Sequence, residues 1–221
     1  MSYRHIRLPE NGDKITVEDN RLKVSDQPIL GFVEGDGIGP DITAASLRIW
    51  DAAVEKAYGG KRKVHWAELF LGEKAAGIYD GDYFPAETLE AIQELVVAIK
   101  GPLTTPVGGG FRSLNVSLRQ ELDLYACVSP VSYFEGVPSP LRHPENVDAI
   151  LFRENTEDIY AGMEVEAGTP EAKKMMEMLH DAFGWEIRED SGIGVKPISK
   201  TGSKRLQRAA IEYAVKRGRK R

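Results

Sequence analysis

Pro28-Ile-Leu-Gly-Phe-Val-Glu-Gly-Asp-Gly-Ile-Gly-Pro40 joins an apolar run, a glycine-rich turn and a proline in close succession. The apolar run predicts a short buried strand over 28–33, and Pro40 suits the first turn of a helix. Gly59-Gly60 predicts the end of that helix. The helix face expected to pack on a sheet carries Ile42, Ala45, Ile49, Ala52 and Ala53.

The glycine-rich turn allows two interpretations. Gly35, Gly37 and Gly39 follow a strand, as in the fingerprint with which dinucleotide-binding folds bring backbone close to a pyrophosphate. In this chain the third glycine comes one residue too early for that fingerprint. The pattern therefore favours a tight strand-to-helix turn, and it does not predict a Rossmann fold.

Further strands and helices alternate along the chain on both sides of this turn. Strands are predicted over 64–69, 96–99, 125–128 and 148–153, and helices over 85–95, 113–124 and around 206–214. Such alternation is typical of a largely parallel sheet covered by helices, which places the chain in the α/β class. The stretches 101–110 and 138–144 are predicted loops, and 158–202 has no clear pattern.

The composition excludes several classes of protein. The chain has 221 residues and a net charge of −5, which gives no reason to expect a nucleic-acid partner. The basic run Lys216–Arg221 is attributed to a helix C-terminus, where cations interact favourably with the helix dipole. No apolar run approaches the about 20 residues that cross a bilayer, so no membrane is expected. A single cysteine, Cys127, fits a cytoplasmic location, and zinc-site spacings are absent from the sequence.

The first candidate site follows the glycine-rich stretch that begins at Lys100. Ser113 and Asn115 lie at the start of the predicted helix that follows this stretch. Arg119 lies four residues after Asn115 on the same helical face. A helix N-terminus, a hydroxyl, an amide and a guanidinium together suit a carboxylate or a phosphate. The alternative is an ordinary capped helix with Ser113 as the N-cap.

The second candidate site lies in Phe152-Arg-Glu-Asn-Thr-Glu-Asp-Ile-Tyr-Ala-Gly162. Arg153 ends a strand predicted to be buried, and ligand sites in parallel sheets tend to lie at strand ends. Tyr160 could donate a proton if a nearby cation lowered its pKa. The alternative for this tyrosine is half-buried packing without a chemical role.

Three segments, in this order and spacing, resemble the β-decarboxylating dehydrogenases, and most of all the bacterial-type NADP-dependent isocitrate dehydrogenases. The segments are Lys100-Gly-Pro-Leu-Thr-Thr-Pro-Val-Gly-Gly-Gly110, Arg112-Ser-Leu-Asn-Val116 and Arg153-Glu-Asn-Thr-Glu-Asp-Ile-Tyr-Ala-Gly162. The resemblance runs through nearly the whole chain. It implies the isocitrate/isopropylmalate dehydrogenase fold, a mixed sheet with helices on both faces, of which this chain would be the N-terminal part.

The resemblance also implies a reaction and its cofactors. Isocitrate would lose a hydride to NADP (or NAD) and then CO2, giving 2-oxoglutarate in the tricarboxylic acid cycle with the help of Mg²⁺ or Mn²⁺. Matched residue by residue, Thr104 would lie by the nicotinamide ribose and Tyr160 would protonate the enolate. Substrate carboxylates would be bound by Ser113, Asn115, Arg119 and Arg153. The small polar pair Ser113 and Asn115 favours isocitrate over the apolar-tailed isopropylmalate.

The chain departs from the family in two respects. The family usually has Arg-Pro-Val-Arg where this chain has Ser129-Pro-Val-Ser132, so a guanidinium that grips a substrate carboxylate is missing. The family's metal ligands, catalytic lysine and adenosine-binding loop are expected beyond residue 221. We therefore expect this chain to be inactive when alone.

A two-part architecture is implied as well. Residues 1–124 would form part of a large domain, 125–157 with 203–221 part of a small one, and 158–202 a clasp shared by a homodimer. Two other interpretations stay open. One is a dehydrogenase for another 2-hydroxy acid, such as isopropylmalate or tartrate. The other is a non-catalytic dimerising relative that retains some carboxylate binding.

Overall fold

The chain is divided into two compact units, Met1–Leu122 and Asp123–Arg221, called here the first and the second unit. The computed structural model describes residues 3–104 and 113–220. Thr105 to Arg112, which include most of the predicted glycine loop, lie outside the described residues.

The first unit contains six strands and four helices within its described residues. The strands are β1 (Asp13–Lys14), β2 (Thr16–Glu18), β3 (Arg21–Lys23), β4 (Pro28–Val33), β5 (His65–Leu69) and β6 (Ala98–Lys100). The helices are α1 (Gly39–Tyr58), α2 (Glu73–Ile78), α3 (Ala86–Leu95) and α4 (Leu114–Glu121). The short strands β1 to β3 and helix α2 have no counterpart in the sequence-based prediction.

Strand β4 is the centre of a parallel sheet. Its residue Gly31 pairs with Ala67 of β5 on one side and with Ala98 of β6 on the other. Strand β1 also pairs with β4 in parallel, through Asp13 and Lys14. The predicted parallel sheet and α/β class are therefore confirmed for this unit. Its core contains Ile6, Ile29, Val33, Ala67, Leu69, Leu71, Leu95 and Leu118.

The predicted inward face of α1 is wrong. Ile42 and Ile49 are 48% and 66% exposed, whereas Thr43 is buried and donates a hydrogen bond from its hydroxyl to the Glu34 carbonyl at 2.9 Å. This contact with the preceding turn sets the rotation of the helix, so its inner face follows Thr43 at helical spacing. A rotation set by a turn cannot be read from apolar periodicity alone.

Two element boundaries also differ from the prediction, because backbone conformation ends an element before the apolar pattern does. Val96 has φ 65° and terminates α3, so the next strand starts at Ala98 and not at Val96. Asp123 has φ 47°, and α4 ends at Glu121, short of the predicted 124.

The second unit is built from antiparallel pairs. It contains β7 (Ala126–Ser132), β8 (Asp148–Glu154), β9 (Met163–Val165), β10 (Ile193–Val195), α5 (Pro170–Phe183), α6 (Lys200–Lys216) and the 3-10 helices Pro144–Asn146 and Asp158–Ala161. Strand β7 pairs with β8, and β9 pairs with β10. Most of these elements after Asp158 fall in the stretch that shows no clear sequence pattern.

The prediction of a buried parallel strand over 148–153 is wrong. Strand β8 lies in a two-stranded antiparallel ribbon, and Leu151 is 58% exposed. Helix α6 contacts this strand, where the ring of Phe152 meets that of Tyr213 at 5.5 Å between centroids. A ribbon of two strands has too little sheet area to bury both faces. The apolar side chain of Leu151 therefore stays exposed.

None of the helices in the described part of the chain is long and apolar enough to cross a membrane.

Candidate active site

The glycine turn after β4 is filled by the chain's own backbone. A Cβ added at Gly35 would collide with the Pro102 carbonyl, and one added at Gly101 would collide with the Glu34 carbonyl. Gly35 also has φ 91°, which disfavours any side chain. The glycines therefore let two backbone segments meet, and this turn offers no cradle for a pyrophosphate.

Asp36 lies at the centre of this contact. It is 5% exposed, and its backbone N–H donates to the Pro102 carbonyl at 2.7 Å. One carboxylate oxygen accepts a hydrogen bond from the Glu73 backbone N–H at 2.9 Å. The other accepts from the Thr104 backbone N–H at 2.8 Å. The backbone of Thr104, the predicted cofactor residue, is thus held by Asp36, while its side chain is exposed.

Helix α4 presents the other predicted residues of the first unit. Its buried residues Leu114 and Leu118 anchor one side, and Ser113, Asn115 and Arg119 are half-buried. Ser113 occupies the N-cap position, yet its hydroxyl makes no capping hydrogen bond. Within residues 3–104 and 113–220, the structure gives these three side chains no hydrogen bond or ion pair. Ser113 therefore does not cap α4 through its side chain, and the roles of all three residues in binding stay predictions.

Lys100 is a member of this site that the sequence-based prediction did not assign. It ends β6, at the carboxyl edge of the parallel sheet. Loss of water around its ammonium lowers the pKa of Lys100, and the positive charge of Arg119 lowers it further, against a smaller opposite effect of Asp36. Lys100 and Arg119 thus form a cationic pair in the first unit. The position of a lysine at the end of a parallel strand was the signal that could have identified it.

The second unit brings together Arg153 and Tyr160. The Arg153 guanidinium donates to the Tyr160 hydroxyl oxygen at 3.3 Å and lies 5.4 Å from the ring centroid. The reason given from the sequence was wrong, because β8 belongs to an antiparallel ribbon and not to a parallel sheet. Arg153 therefore holds the Tyr160 hydroxyl through a direct contact to its oxygen.

The turn that carries Tyr160 is attached to the start of α6. The Asp158 backbone N–H donates to the Pro197 carbonyl at 2.9 Å. The Glu157 carboxylate accepts hydrogen bonds from the Ser199 backbone N–H at 2.8 Å and from the Ser199 hydroxyl at 2.5 Å. These bonds, led by that from the hydroxyl, lower the pKa of Glu157. The position of the turn is therefore coupled to an ionised Glu157.

Replacement of Gly202 by alanine tests this attachment. The added Cβ would lie 2.6 Å from the Glu157 carboxyl carbon and would displace the carboxylate from α6. We expect G202A to destabilise the second unit, overriding the about 0.5–1 kcal/mol that alanine normally gains over glycine in a helix. Because the folded pKa of Glu157 is lowered, its contribution is complete above the ordinary glutamate pKa and is lost as pH falls through the lowered value.

Denaturation of the parent and of G202A over a pH series from neutral to acid measures this loss of stability. The difference in free energy of unfolding between the parent and G202A should become smaller in acid. The stability of Glu157→Gln should depend on pH less than that of the parent, as for G202A. A G202A protein as stable as the parent at neutral pH would contradict the attachment.

Ser129, one of the departures from the family pattern, lies on the same ribbon face as Arg153. Cys127 pairs directly with Arg153, and Ser129 follows two residues later opposite Leu151. The Cys127 sulfur lies 3.9 Å from the Ser129 hydroxyl oxygen, in agreement with a shared face. Ser132 pairs with Asp148 and lies on the opposite face.

The divalent cation predicted from the resemblance does not fit this part of the chain. Among the described residues there is no group of three or more histidine, cysteine, aspartate or glutamate side chains that could hold a metal ion.

Comparison with known proteins agrees with these features. Residues 29–221 match the family model for isocitrate/isopropylmalate dehydrogenase. The chain belongs to this family. It is 56% identical over 220 residues to the NADP isocitrate dehydrogenase of Pseudomonas aeruginosa, covering 97% of this chain and 53% of that protein. It is 55% identical over 220 residues to that of Archaeoglobus fulgidus, covering 100% of this chain and 52% of that protein.

Two solved structures have a similar fold. Isocitrate dehydrogenase from Methylococcus capsulatus has a TM-score of 0.67 at 34% identity, covering 87% of this chain and 49% of that one. A β-decarboxylating dehydrogenase from Thermococcus kodakarensis has a TM-score of 0.56 at 24% identity, covering 86% of this chain and 46% of that one. The chain spans about half the length of the curated relatives that it matches. The resemblance and the fold predicted from sequence are confirmed.

Proposed function

We propose that this chain forms part of an enzyme that oxidises and decarboxylates isocitrate to 2-oxoglutarate with reduction of NADP, a step of the tricarboxylic acid cycle. The observation that carries the proposal is a set of polar side chains at the start of and along α4: Ser113, Asn115 and Arg119 are half-buried and have no described partner. The NADP isocitrate dehydrogenases that the chain resembles support the choice of substrate.

In the first unit, the positive charges of Arg119 and Lys100 suit a carboxylate, and Ser113 and Asn115 supply uncharged hydrogen-bond donors beside them. The lowered pKa of Lys100 comes first from the loss of water around its ammonium and then from the positive charge of Arg119, which the smaller effect of Asp36 does not cancel. An anionic substrate would relieve this repulsion. Isopropylmalate, whose tail is apolar, would leave the polar groups of Ser113 and Asn115 unpaired.

In the second unit, Arg153 would bind a substrate carboxylate, and Tyr160 would supply the proton that completes the reaction. Loss of a hydride turns the alcohol carbon of the substrate into a ketone, and loss of CO2 from the neighbouring carbon leaves an electron pair there as an enolate. The Tyr160 hydroxyl can protonate that neighbouring carbon, which gives 2-oxoglutarate. The phenolate left behind is stabilised by the Arg153 guanidinium, 3.3 Å from its oxygen in the structure. NADP, when bound beside Thr104, would accept the hydride. No group of described residues is proposed to hold Mg²⁺ or Mn²⁺.

We also propose a homodimer formed through residues 158–202. Large apolar side chains in this stretch are exposed in the single chain, and such a surface favours association. They include Ile159, Met178, Phe183, Trp185 and Ile198. The cytoplasmic location and the division of domains at 124, 157 and 202 remain predictions.

Titration calorimetry with isocitrate tests the proposed substrate. Isocitrate should bind more tightly than isopropylmalate, and Arg119→Met should weaken binding by about tenfold or more, since a hydrogen bond to a charged group is lost. Arg208→Met is the matched control, because Arg208 is an exposed residue of α6 and the change in charge is the same. Equal binding of the two acids would refute the assignment. With Mg²⁺ and NADP, we expect residues 1–221 to form no NADPH unless further chain supplies the metal ligands.

The affinity for isocitrate should depend on pH through Lys100. Its ammonium loses its proton at a lower pH than an ordinary lysine, so binding should weaken as pH rises through this lowered pKa. A Lys100→Arg variant should keep its affinity in that range, because the guanidinium stays protonated. Calorimetry over an alkaline pH series measures the effect, and identical pH profiles for the two proteins would contradict it.

Ser129 favours a second candidate function, a non-catalytic relative that binds carboxylates weakly. Where the family pattern has arginine, the ribbon face beside Arg153 carries a hydroxyl. A protein that dimerises and binds isocitrate but neither Mg²⁺ nor NADP, even when joined to a complete family C-terminal half, would support this candidate. Turnover of tartrate or isopropylmalate by that joined protein, with isocitrate inert, would support a different 2-hydroxy acid as substrate.

A further inference from the structure

Asp36 is a buried carboxylate whose bonds go to backbone. At 5% exposure, it has no ion pair with a side chain of the described residues, and its oxygens accept from the Glu73 and Thr104 N–H groups. A buried charge is tolerated when both its oxygens are satisfied. This carboxylate therefore connects three segments of the first unit: the glycine turn, the start of α2 and the segment after β6 that contains Thr104.

The shape of the site leaves little freedom at Asp36. A Cβ added at Gly72 would collide with the Asp36 carboxylate, so the start of α2 approaches closely enough for a hydrogen bond only because position 72 is glycine. Asparagine at position 36 would offer one oxygen, and its amide group would face a second N–H donor. Two backbone donors on opposite sides thus require a carboxylate here.

The bond to Thr104 affects the proposed cofactor residue directly. Its amide is fixed at 2.8 Å from Asp36, while its side chain is exposed. The hydrogen bond to Asp36 therefore fixes the backbone from which the exposed Thr104 side chain extends, before any ligand binds.

We propose that Asp36 is a positioning residue for cofactor binding: it holds the Thr104 backbone so that the Thr104 hydroxyl is presented to the nicotinamide ribose of NADP. The proposal rests on the function proposed above for Thr104. Asp36 acts through Thr104 and touches no substrate or cofactor itself.

Hydrogen exchange tests the structural half of this proposal. In the full 221-residue chain, Asp36→Asn should reduce the protection of the Thr104 amide by about tenfold or more, while the amides of β4 change little. Thr88→Val is the control, because Thr88 is fully buried and donates to the Phe70 carbonyl at 2.8 Å, away from Thr104. An unprotected Thr104 amide in the parent protein would overturn the proposal even if D36N failed to fold.

Titration with NADP, followed by NMR so that millimolar binding is measurable, tests the functional half. D36N should raise the Kd for NADP by about tenfold, and T88V should leave it unchanged. Thr104→Ala should also raise this Kd, and the double variant should be no weaker than the weaker single variant, because both changes act on one group. Isocitrate affinity should stay within about twofold throughout.

The outcomes separate the two proposals. If the parent chain binds NADP and D36N binds it equally well, or if the two effects add, the role of Asp36 is refuted and the role of Thr104 stands. If the parent binds isocitrate but not NADP, even when joined to a complete family C-terminal half, the cofactor contact of Thr104 is refuted, and the positioning role with it.

Discussion

Replacement of Ser129 by arginine should tighten isocitrate binding by about ten- to a hundredfold. A hydrogen bond to a charged group contributes about 1.5–3 kcal/mol, and each 1.4 kcal/mol is tenfold in affinity. The new guanidinium would project from the ribbon face that carries Arg153, since Ser129 follows the Cys127–Arg153 pair by two residues. Diagonal neighbours on such a face are about 7–8 Å apart, within reach of two long side chains that share one ligand.

Ser132→Arg is the matched control for this gain. It adds the same charge three residues away, but its position pairs with Asp148 on the opposite face of the ribbon. Isocitrate affinity measured by calorimetry should therefore change little in S132R. An S129R protein that bound isocitrate no better than the parent would remove position 129, and with it the Arg153 face, from the proposed site. Equal gains in both variants would indicate a general effect of charge.

Gly101→Ala should destabilise the first unit by about 3 kcal/mol, the upper end of the cost of overpacking. The added Cβ would collide with the Glu34 carbonyl, a backbone atom that cannot rotate away. Relief of this clash would separate the glycine turn from the 101–104 segment and break the 2.7 Å bond from the Asp36 N–H to Pro102. Thr104 would lose its support at the same time, so NADP affinity should fall together with stability.

Urea denaturation followed by tryptophan fluorescence measures this loss. In a Trp185→Phe background, the remaining Trp50 and Trp66 both report on the first unit. Gly77→Ala is the control: Gly77 lies within α2 with no atom within 4 Å of the added Cβ. It should be neutral or stabilise by about 0.5–1 kcal/mol, as alanine normally does in a helix. A Gly101→Ala protein with the stability of the parent would mean that the two backbone segments are not in close contact.

The elements around the glycine turn were predictable because their signals are local. Strand β4 coincides with the predicted 28–33, and α1 starts and ends as Pro40 and Gly59 indicate. The rotation of α1 was not predictable, since it depends on the Thr43 hydrogen bond to Glu34. The exposed ribbon of β7 and β8 was mistaken for buried sheet, because an apolar run does not show how many strands lie beside it.

The candidate site was also predictable only in part. Ser113, Asn115 and Arg119 could be selected from sequence through the family resemblance and the spacing of one helix. Lys100 was quoted in the same motif but given no role, since its desolvation beside Arg119 depends on packing. Arg153 was selected for the wrong reason, and its partner Tyr160 lies seven residues further on, after a turn held by Glu157 and Pro197.

The alternation of strands and helices along the chain was sufficient for the α/β class and a parallel sheet, because apolar periodicity and turn chemistry are local signals. The family followed from the resemblance of three motifs. The partners of Asp36 required the folded chain. Glu73 and Thr104 are 37 and 68 residues away from it in sequence, and no local pattern indicates where a carboxylate will find its donors. Hydrogen bonds between distant segments form only when the sheet brings those segments together, and so the support beneath the proposed cofactor residue is a property of the tertiary structure.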